Sequence, residues 1–440
     1  MSQQPEGTYR LRAIPERFLA ALHYRDYRTL WTANMCAGAA AWALIVARGW
    51  LAFEITETNS SLWVGLVTFM AMAPRVFTTP LVGFIADRFD RQTVLSWTYG
   101  LNLGHNVILA LLVTFGEAGI WHLVLLSLVN GILRAAQMTT TQSLVPNLVP
   151  KDRLLNAVAL NEATQQGSRL FGPLAILPLL AYFGNGGAEG DASNLGMAAA
   201  FWLCSAFYSV GLVQVLRIKT RSTGKIDPNR SFFQNLAAGF VYVYHTPMLL
   251  SMVLLALAHC SLTMSYESML PAISQEKLGA GSAGFSYLIA GVGAGALVSS
   301  IFLAGIQNER TRGRVFLFFA ITSGLGPIAL ALSTNRELSI AATVLMGVNQ
   351  AGFMTITHTI IQSIVPDEMR GRISGVYSVH VGGSMALANL TNGGLTDLLN
   401  APLVLTTGGI IFIVLIVSSA GLPQLRRIYF PKTAASPSPA

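Results

Sequence analysis

Runs of apolar residues long enough to cross a bilayer recur along this chain, separated by short polar stretches, and that spacing leaves few folds open. A helical crossing takes about 20 predominantly apolar residues. Twelve such runs are counted, centred near Ala40, Phe69, Leu103, Leu128, Leu174, Phe207, Leu257, Ala294, Ile321, Val348, Ser384 and Ile413. Soluble domains are roughly 25% charged, whereas this chain is 11% charged and 52% hydrophobic. The expectation is an all-α integral membrane protein. Gly291, Gly293 and Gly295 read as a close-packing face of one span, because no strand precedes them as a nucleotide-binding loop would require.

The basic residues fix an orientation. Of the Lys and Arg outside the spans, 22 fall in the N-terminal segment, the C-terminal tail and the loops after spans 2, 4, 6, 8 and 10, and two, Lys277 and Arg336, fall on the other side. Positive charge is retained in the cytoplasm, so both termini are expected there, in a multi-pass cell (inner) membrane protein. The net charge of +8 is then a property of helix ends, and no nucleic-acid partner is expected. Cys36, Cys204 and Cys260 all lie inside apolar runs, without metal-ligand spacing or a disulfide framework. The first 28 residues are polar and basic with no short apolar region, so no removable signal peptide is expected.

Two motifs repeat at nearly one offset. Gly83, Asp87, Arg88 and Arg91 lie between spans 2 and 3, and Gly305, Glu309, Arg310, Arg312 and Arg314 recur 222 positions after Gly83. Gln142-Ser143-Leu144-Val145-Pro146 returns as Gln362-Ser363-Ile364-Val365-Pro366 at an offset of 220. A duplicated six-helix unit follows: an N-terminal bundle over 1–216, a linker over 217–231, and an interfacial helix with a C-terminal bundle over 232–440. The interfacial helix would carry Phe232, Phe233, Leu236 and Phe240 on one side.

The loop Gly83 to Arg91 resembles the signature between the second and third helices of the major facilitator superfamily of secondary transporters, with Gln92 where a second basic residue is usual. Val149-Pro150-Lys151-Asp152-Arg153, Asn156 to Asn161, Gly172-Pro173 and Val365 to Arg372 look like the drug and siderophore exporter branch, which also includes macrolide, enterobactin and lysophospholipid carriers. Ile176 and Leu177 stand where the branch's antiporter pattern has a Gly pair. The resemblance implies two parallel six-helix bundles that bind substrate between them near the midplane, with Gly83, Asp87, Arg88, Arg91, Gly305, Glu309 and Arg310 as gating elements. Asp87 is expected to latch onto the start of the facing helix near Gly371 to Ser374.

Polar residues inside the spans mark the pathway. Arg48, Arg75, Arg134 and Arg169 all fall in the first half, and an Arg near a helix centre costs roughly 2.5 to 3.5 kcal/mol on insertion scales. Asn130, Arg134, Gln137 and Thr141 form one stripe at i, i+4, i+7 and i+11. Arg134 and Gln137 partly match the superfamily's fourth-helix pattern, with Met138 in place of Gly, and the resemblance implies a part in proton coupling. Glu162, Gln165 and Arg169 share a face of the fifth span, and His259, Thr263 and Glu267 are spaced i, i+4 and i+8 on the seventh. His358 and His380 are secondary candidates. With Glu162 between Arg134 and Arg169, and no deep Lys or Arg in the second half, Glu267 is expected to be the easier carboxylate to protonate.

No phosphate-binding loop, metal cluster or nucleophile elbow is present in the sequence, so neither an enzyme nor a cofactor is expected. The expected function is secondary export of a small amphipathic or partly anionic molecule by alternating access, exchanging for protons, by a monomer in the lipid bilayer. A lysophospholipid carrier without obligatory proton coupling is the alternative.

Overall fold

The structure, a computed structural model of the chain, describes residues 20–56, 58–78, 88–184, 191–223, 232–303, 309–366 and 369–429. Gly83, Asp87 and Gly305 lie outside these residues, so the expected Asp87 latch does too.

The N-terminal helices are α1 (Arg25–Glu54), α2 (Ser61–Met72, continuing to Thr78 after a turn at Ala73), α3 (Arg91–Thr114), α4 (Ile120–Leu144), α5 (Leu154–Gly184) and α6 (Asp191–Leu216). A shorter α7 (Phe232–His245) precedes the C-terminal helices: α8 (Pro247–His259), α9 (Gly281–Leu303), α10 (Glu309–Leu332), α11 (Arg336–Ile364), α12 (Arg370–Leu398) and α13 (Ala401–Ser419), then a short α14 (Pro423–Tyr429). Among the described residues, nine helices are long and apolar enough to cross a membrane. The three other long helices, α3, α5 and α12, carry more polar residues, and they interleave with the nine in chain order.

Alternating crossings give the bundle two faces. The terminal face holds the start of α1, and the distal face holds the start of α2. The two basic residues expected on the distal side each have a local role there. Lys277 donates from Nζ to the carbonyls of Leu330 and Ala331 at the end of α10, and the Arg336 guanidinium lies 4.0 Å from the centre of the Tyr287 ring.

The N- and C-terminal helices meet along two seams, α5 against α9 and α2 against α12. Glycine sets the first seam: a Cβ at Gly293 would fall 2.5 Å from the Arg169 backbone, and Ser286 donates to the Pro173 carbonyl at 2.8 Å. Gly291 and Gly295 turn the other way, onto Thr343 and Val344 of α11. Ile176 and Leu177 therefore do not loosen α5, because the glycine of the contact comes from α9, while Gly172 seats α5 against Ala39 and Ala43 of α1.

Apolar burial is uneven between the faces. One continuous core joins the N-terminal helices to the distal parts of α9, α10, α11 and α13 through Leu288, Leu330, Met346 and Leu405. A second core, from Val243 to Tyr429, occupies the terminal side of the C-terminal helices alone. The two sets share a core at the distal face and have separate cores towards the terminal face.

Candidate functional site

The site is built where α8 stops being a regular helix. After His259 the backbone widens into a π turn over Cys260–Met264, reaches a non-helical conformation at Ser265 (φ −90°, ψ 62°), and becomes helical again at Leu270. Backbone at membrane depth must have its polar groups satisfied from within the protein, and side chains from neighbouring helices do this. Gln350 Nε2 donates to the Thr263 carbonyl (2.9 Å), Asn392 Nδ2 to the Ser265 carbonyl (2.8 Å), and the Ser268 N–H donates to Asn389 Oδ1 (3.3 Å). This opened segment carries Glu267, which is 1% exposed, with no hydrogen-bond partner for either carboxylate oxygen among the described residues.

Glu267 faces the arginines of the N-terminal helices. It lines a cleft of about 370 Å³ with Arg48, Arg75, Asn130, Arg134 and Thr68, and the charges that act on it are Arg169, Arg134, Arg75 and Arg48. Four guanidiniums against at most one carboxylate make the cleft strongly positive. Arg48, 4% exposed, donates to Asn130 Oδ1 at 3.4 Å, and Asn130 in turn donates to Asn102 Oδ1 at 3.2 Å. Arg169 donates to the Tyr266 hydroxyl, which donates to Gln350 Oε1 at 3.3 Å. Trp42 presents its ring to both Arg169 and Arg134, at 4.8 and 5.9 Å, within the range of cation–π attraction.

A second cleft of about 460 Å³ continues from Arg134 towards the terminal face, lined by Asn34, Gln137, Thr141, Asn161, Gln165 and Tyr208 among others. The stripe of α4 thus faces these two clefts along its length, and Gln165 joins it from α5. Tyr99 and Thr141 both donate to Asn34 Oδ1, at 3.2 and 3.5 Å, and Asn34 donates to Asn161.

Three sequence expectations meet a different geometry. Glu267 is not remote from basic residues: counting charges within each half overlooked that the cleft lies between the halves, so the N-terminal arginines surround a C-terminal carboxylate. Glu162 is exposed on α5 and lies outside both cleft linings. His259, Thr263 and Glu267 do not share a face, because the π turn and the opened segment break the helical period between them. His259 is buried, stacks on Phe353 with ring centres 4.2 Å apart and shares a hydrogen bond with Ser323 Oγ (2.7 Å). Thr263 Oγ1 donates to the His259 carbonyl. Sequence reading missed Trp42, Tyr266, Gln350, Asn389 and Asn392. A Trp at i−6 from Arg48 carries little signal, but amides inside apolar runs signal backbone that must be capped.

At the terminal face Arg88 is exposed, and Arg91 donates from Nη1 to the Ser143 carbonyl at 3.0 Å. Gln92 replaces the usual base with an amide that bonds both ways, to the Val215 carbonyl (3.1 Å) and from Arg221 Nη1 (2.7 Å). Glu309 and Arg310 open α10, with their backbone alone described. His358 lies 5.7 Å from the Tyr377 ring, and His380 packs on Phe240 and Tyr244 of α7.

A family profile described as transmembrane secretion effector matches residues 17–433. The chain belongs to that family. It is a major facilitator transporter, similar to the siderophore and drug exporters, and not an enzyme. It is 24% identical over 326 residues to the enterobactin exporter EntS of Shigella boydii serotype 18, spanning 74% of this chain and 71% of that protein. It is 23% identical over 326 residues, with the same coverage, to EntS of Escherichia coli O139:H28. A crystal structure of a POT family transporter aligns with a TM-score of 0.71 at 14% identity, over 91% of this chain and 96% of that one. A bacterial homologue of the human lysosomal transporter Spinster aligns at 0.65 and 16% identity, over 94% and 99%.

Proposed function

We propose that the chain exports a small amphipathic molecule with an anionic group, by alternating access, as a monomer in the inner membrane with both termini in the cytoplasm. The observation that carries this is the single cleft in which Arg48, Arg75 and Arg134 converge on Glu267. An acid group entering it meets guanidiniums whose field is strong because little water competes, while the apolar lining residues Val67, Ala71 and Met72 suit an amphipathic body. Names of the matched relatives favour export of a siderophore-like molecule over a lysophospholipid. The separate cores towards the terminal face fit a state open to the cytoplasm.

Proton coupling would enter at Glu267, and its sign follows from charge. Protonation removes a negative charge from the cleft and strengthens binding of an acid; ionisation weakens it. Proton and acid then bind together, whereas the exchange expected from the sequence needs them to exclude each other. With Glu267 keeping its proton through the whole cycle the anion crosses alone, and the inside-negative potential drives its export, roughly 2.3 kcal/mol per charge per 100 mV. Flux from proteoliposomes, with the pH gradient and the potential imposed separately, tests this. A potential alone should drive efflux of an acidic amphiphile with no accompanying proton flux, and efflux accompanied by proton uptake would return the chain to proton exchange.

A further inference from the structure

At the distal face one side chain of the C-terminal half binds the start of α2. Asp397, in the last turn of α12, accepts hydrogen bonds from Ser60 Oγ (2.5 Å), the Ser61 N–H (2.7 Å) and the Leu62 N–H (3.1 Å), all at the start of α2. The first turn of a helix has N–H groups without partners in the helix, and these carry partial positive charge. α2 does not cap itself: Ser60 stands at the N-cap in extended conformation, and its hydroxyl bonds Asp397 in place of its own helix. The cap is supplied from the other half.

Asp397 is poorly placed with respect to its own helix. A carboxylate near a helix C-terminus faces carbonyl oxygens and is disfavoured there. Docked on α2 it meets a positive helix end, and undocked it keeps only the negative one. The contact therefore favours a closed distal face. The backbones come close enough for it because glycines line the seam: a Cβ at Gly393 would fall 2.4 Å from the Ser61 carbonyl oxygen, and one at Gly65 2.6 Å from that of Asn389.

We propose that Asp397 is the latch of the distal mouth, made while the cleft faces the terminal side and broken each time it turns to the distal side. This rests on the alternating-access reading above. It puts a carboxylate-to-helix-end lock on the face opposite the one expected of Asp87 from the sequence, and in the opposite sense: here the C-terminal half supplies the charge and the N-terminal half the helix end.

The test uses the full chain in nanodiscs, spin-labelled at the exposed positions Thr58→Cys and Leu399→Cys, with the half-buried Cys36 replaced by Ser. Distance distributions are compared for the labelled parent, Asp397→Asn and Ser60→Asp. Asp397→Asn keeps one acceptor and loses the charge, so the ratio of long to short distances should rise about tenfold. Ser60→Asp caps α2 from within and repels Asp397, so it should widen the mouth similarly while keeping the helix start capped. That second variant decides the matter if the first does not fold. Two populations in the parent, unchanged in Ser60→Asp, overturn the latch and leave alternation standing. A single distance in every protein, under all pH and substrate conditions, overturns alternation and the latch with it.

Discussion

Arg169 of α5 donates a hydrogen bond to the hydroxyl of Tyr266 across the seam between the two halves, and the same guanidinium lies 4.8 Å from the Trp42 ring. It is 7% exposed, so it is committed to protein partners on two sides. Arg134, shared by both clefts, is the more available cation. The two should separate by mutation. Arg134→Ala should weaken binding of an acidic substrate about ten- to hundredfold, the range lost with one charged hydrogen bond, and spare a neutral analogue. Arg169→Ala should lower binding of both alike and destabilise the fold by about 1 to 3 kcal/mol. Isothermal titration with an acid and its amide, beside thermal unfolding, checks the pair; equal acid selectivity in both variants would put Arg169 in the binding set.

Glu267→Gln mimics the protonated carboxyl. Binding of an acidic substrate by wild type should strengthen as pH falls through the titration of Glu267. In Glu267→Gln it should be strong and flat with pH, because the residue that opposes the acid no longer changes charge. Titrations across pH on both proteins decide this, and a pH slope that survives in the variant assigns the proton site elsewhere.

The opened segment after Met264 depends on amides from α11 and α12. Asn392→Ala leaves the Ser265 carbonyl without its 2.8 Å donor and Gln350→Ala does the same to the Thr263 carbonyl. Each should cost about 1 to 3 kcal/mol. Asn392→Asp, nearly isosteric but without the donor, should cost at least as much as Asn392→Ala, a contrast that thermal unfolding in detergent would show.

Asp90 ties the start of the linker to the N-terminal helices. It accepts from Arg221 Nη1 (2.8 Å), the Ser222 N–H (2.9 Å) and both Thr93 donors. Partial burial raises its carboxyl, but hydrogen bonds from Arg221, Ser222 and Thr93 outweigh this and hold it below the usual 3.8. A depressed folded value means that the stabilisation is complete above about 3.8 and fades as pH falls through the lower folded value. The melting-temperature gap between wild type and Asp90→Asn should accordingly be constant from about pH 7 to 5 and shrink towards pH 3.

Apolar length and the Lys and Arg count made the spans legible, because both reflect the solvent around each segment. The stripe Asn130, Arg134, Gln137 and Thr141 was legible too, since α4 is a regular helix and keeps its period. The surroundings of Glu267 were not. They depend on a helix that loses its period at Cys260 and on pairing between residues from about a hundred to more than two hundred positions apart, and neither leaves a local pattern. Gln92 shows the same limit: it reads as a lost base, yet it is buried and holds Val215 and Arg221.

Trp42, with two guanidiniums against its ring, equips the cleft with its own optical probe. Indole emission shifts with the electric field across the ring, and an anion drawing Arg134 away would change that field. Of the seven tryptophans in the chain, Trp42 alone has two cations recorded on its face among the described residues. A spectral change on ligand addition that vanishes in Trp42→Phe would report cleft occupancy in the unlabelled protein, and could be followed in stopped flow through each turn of the carrier.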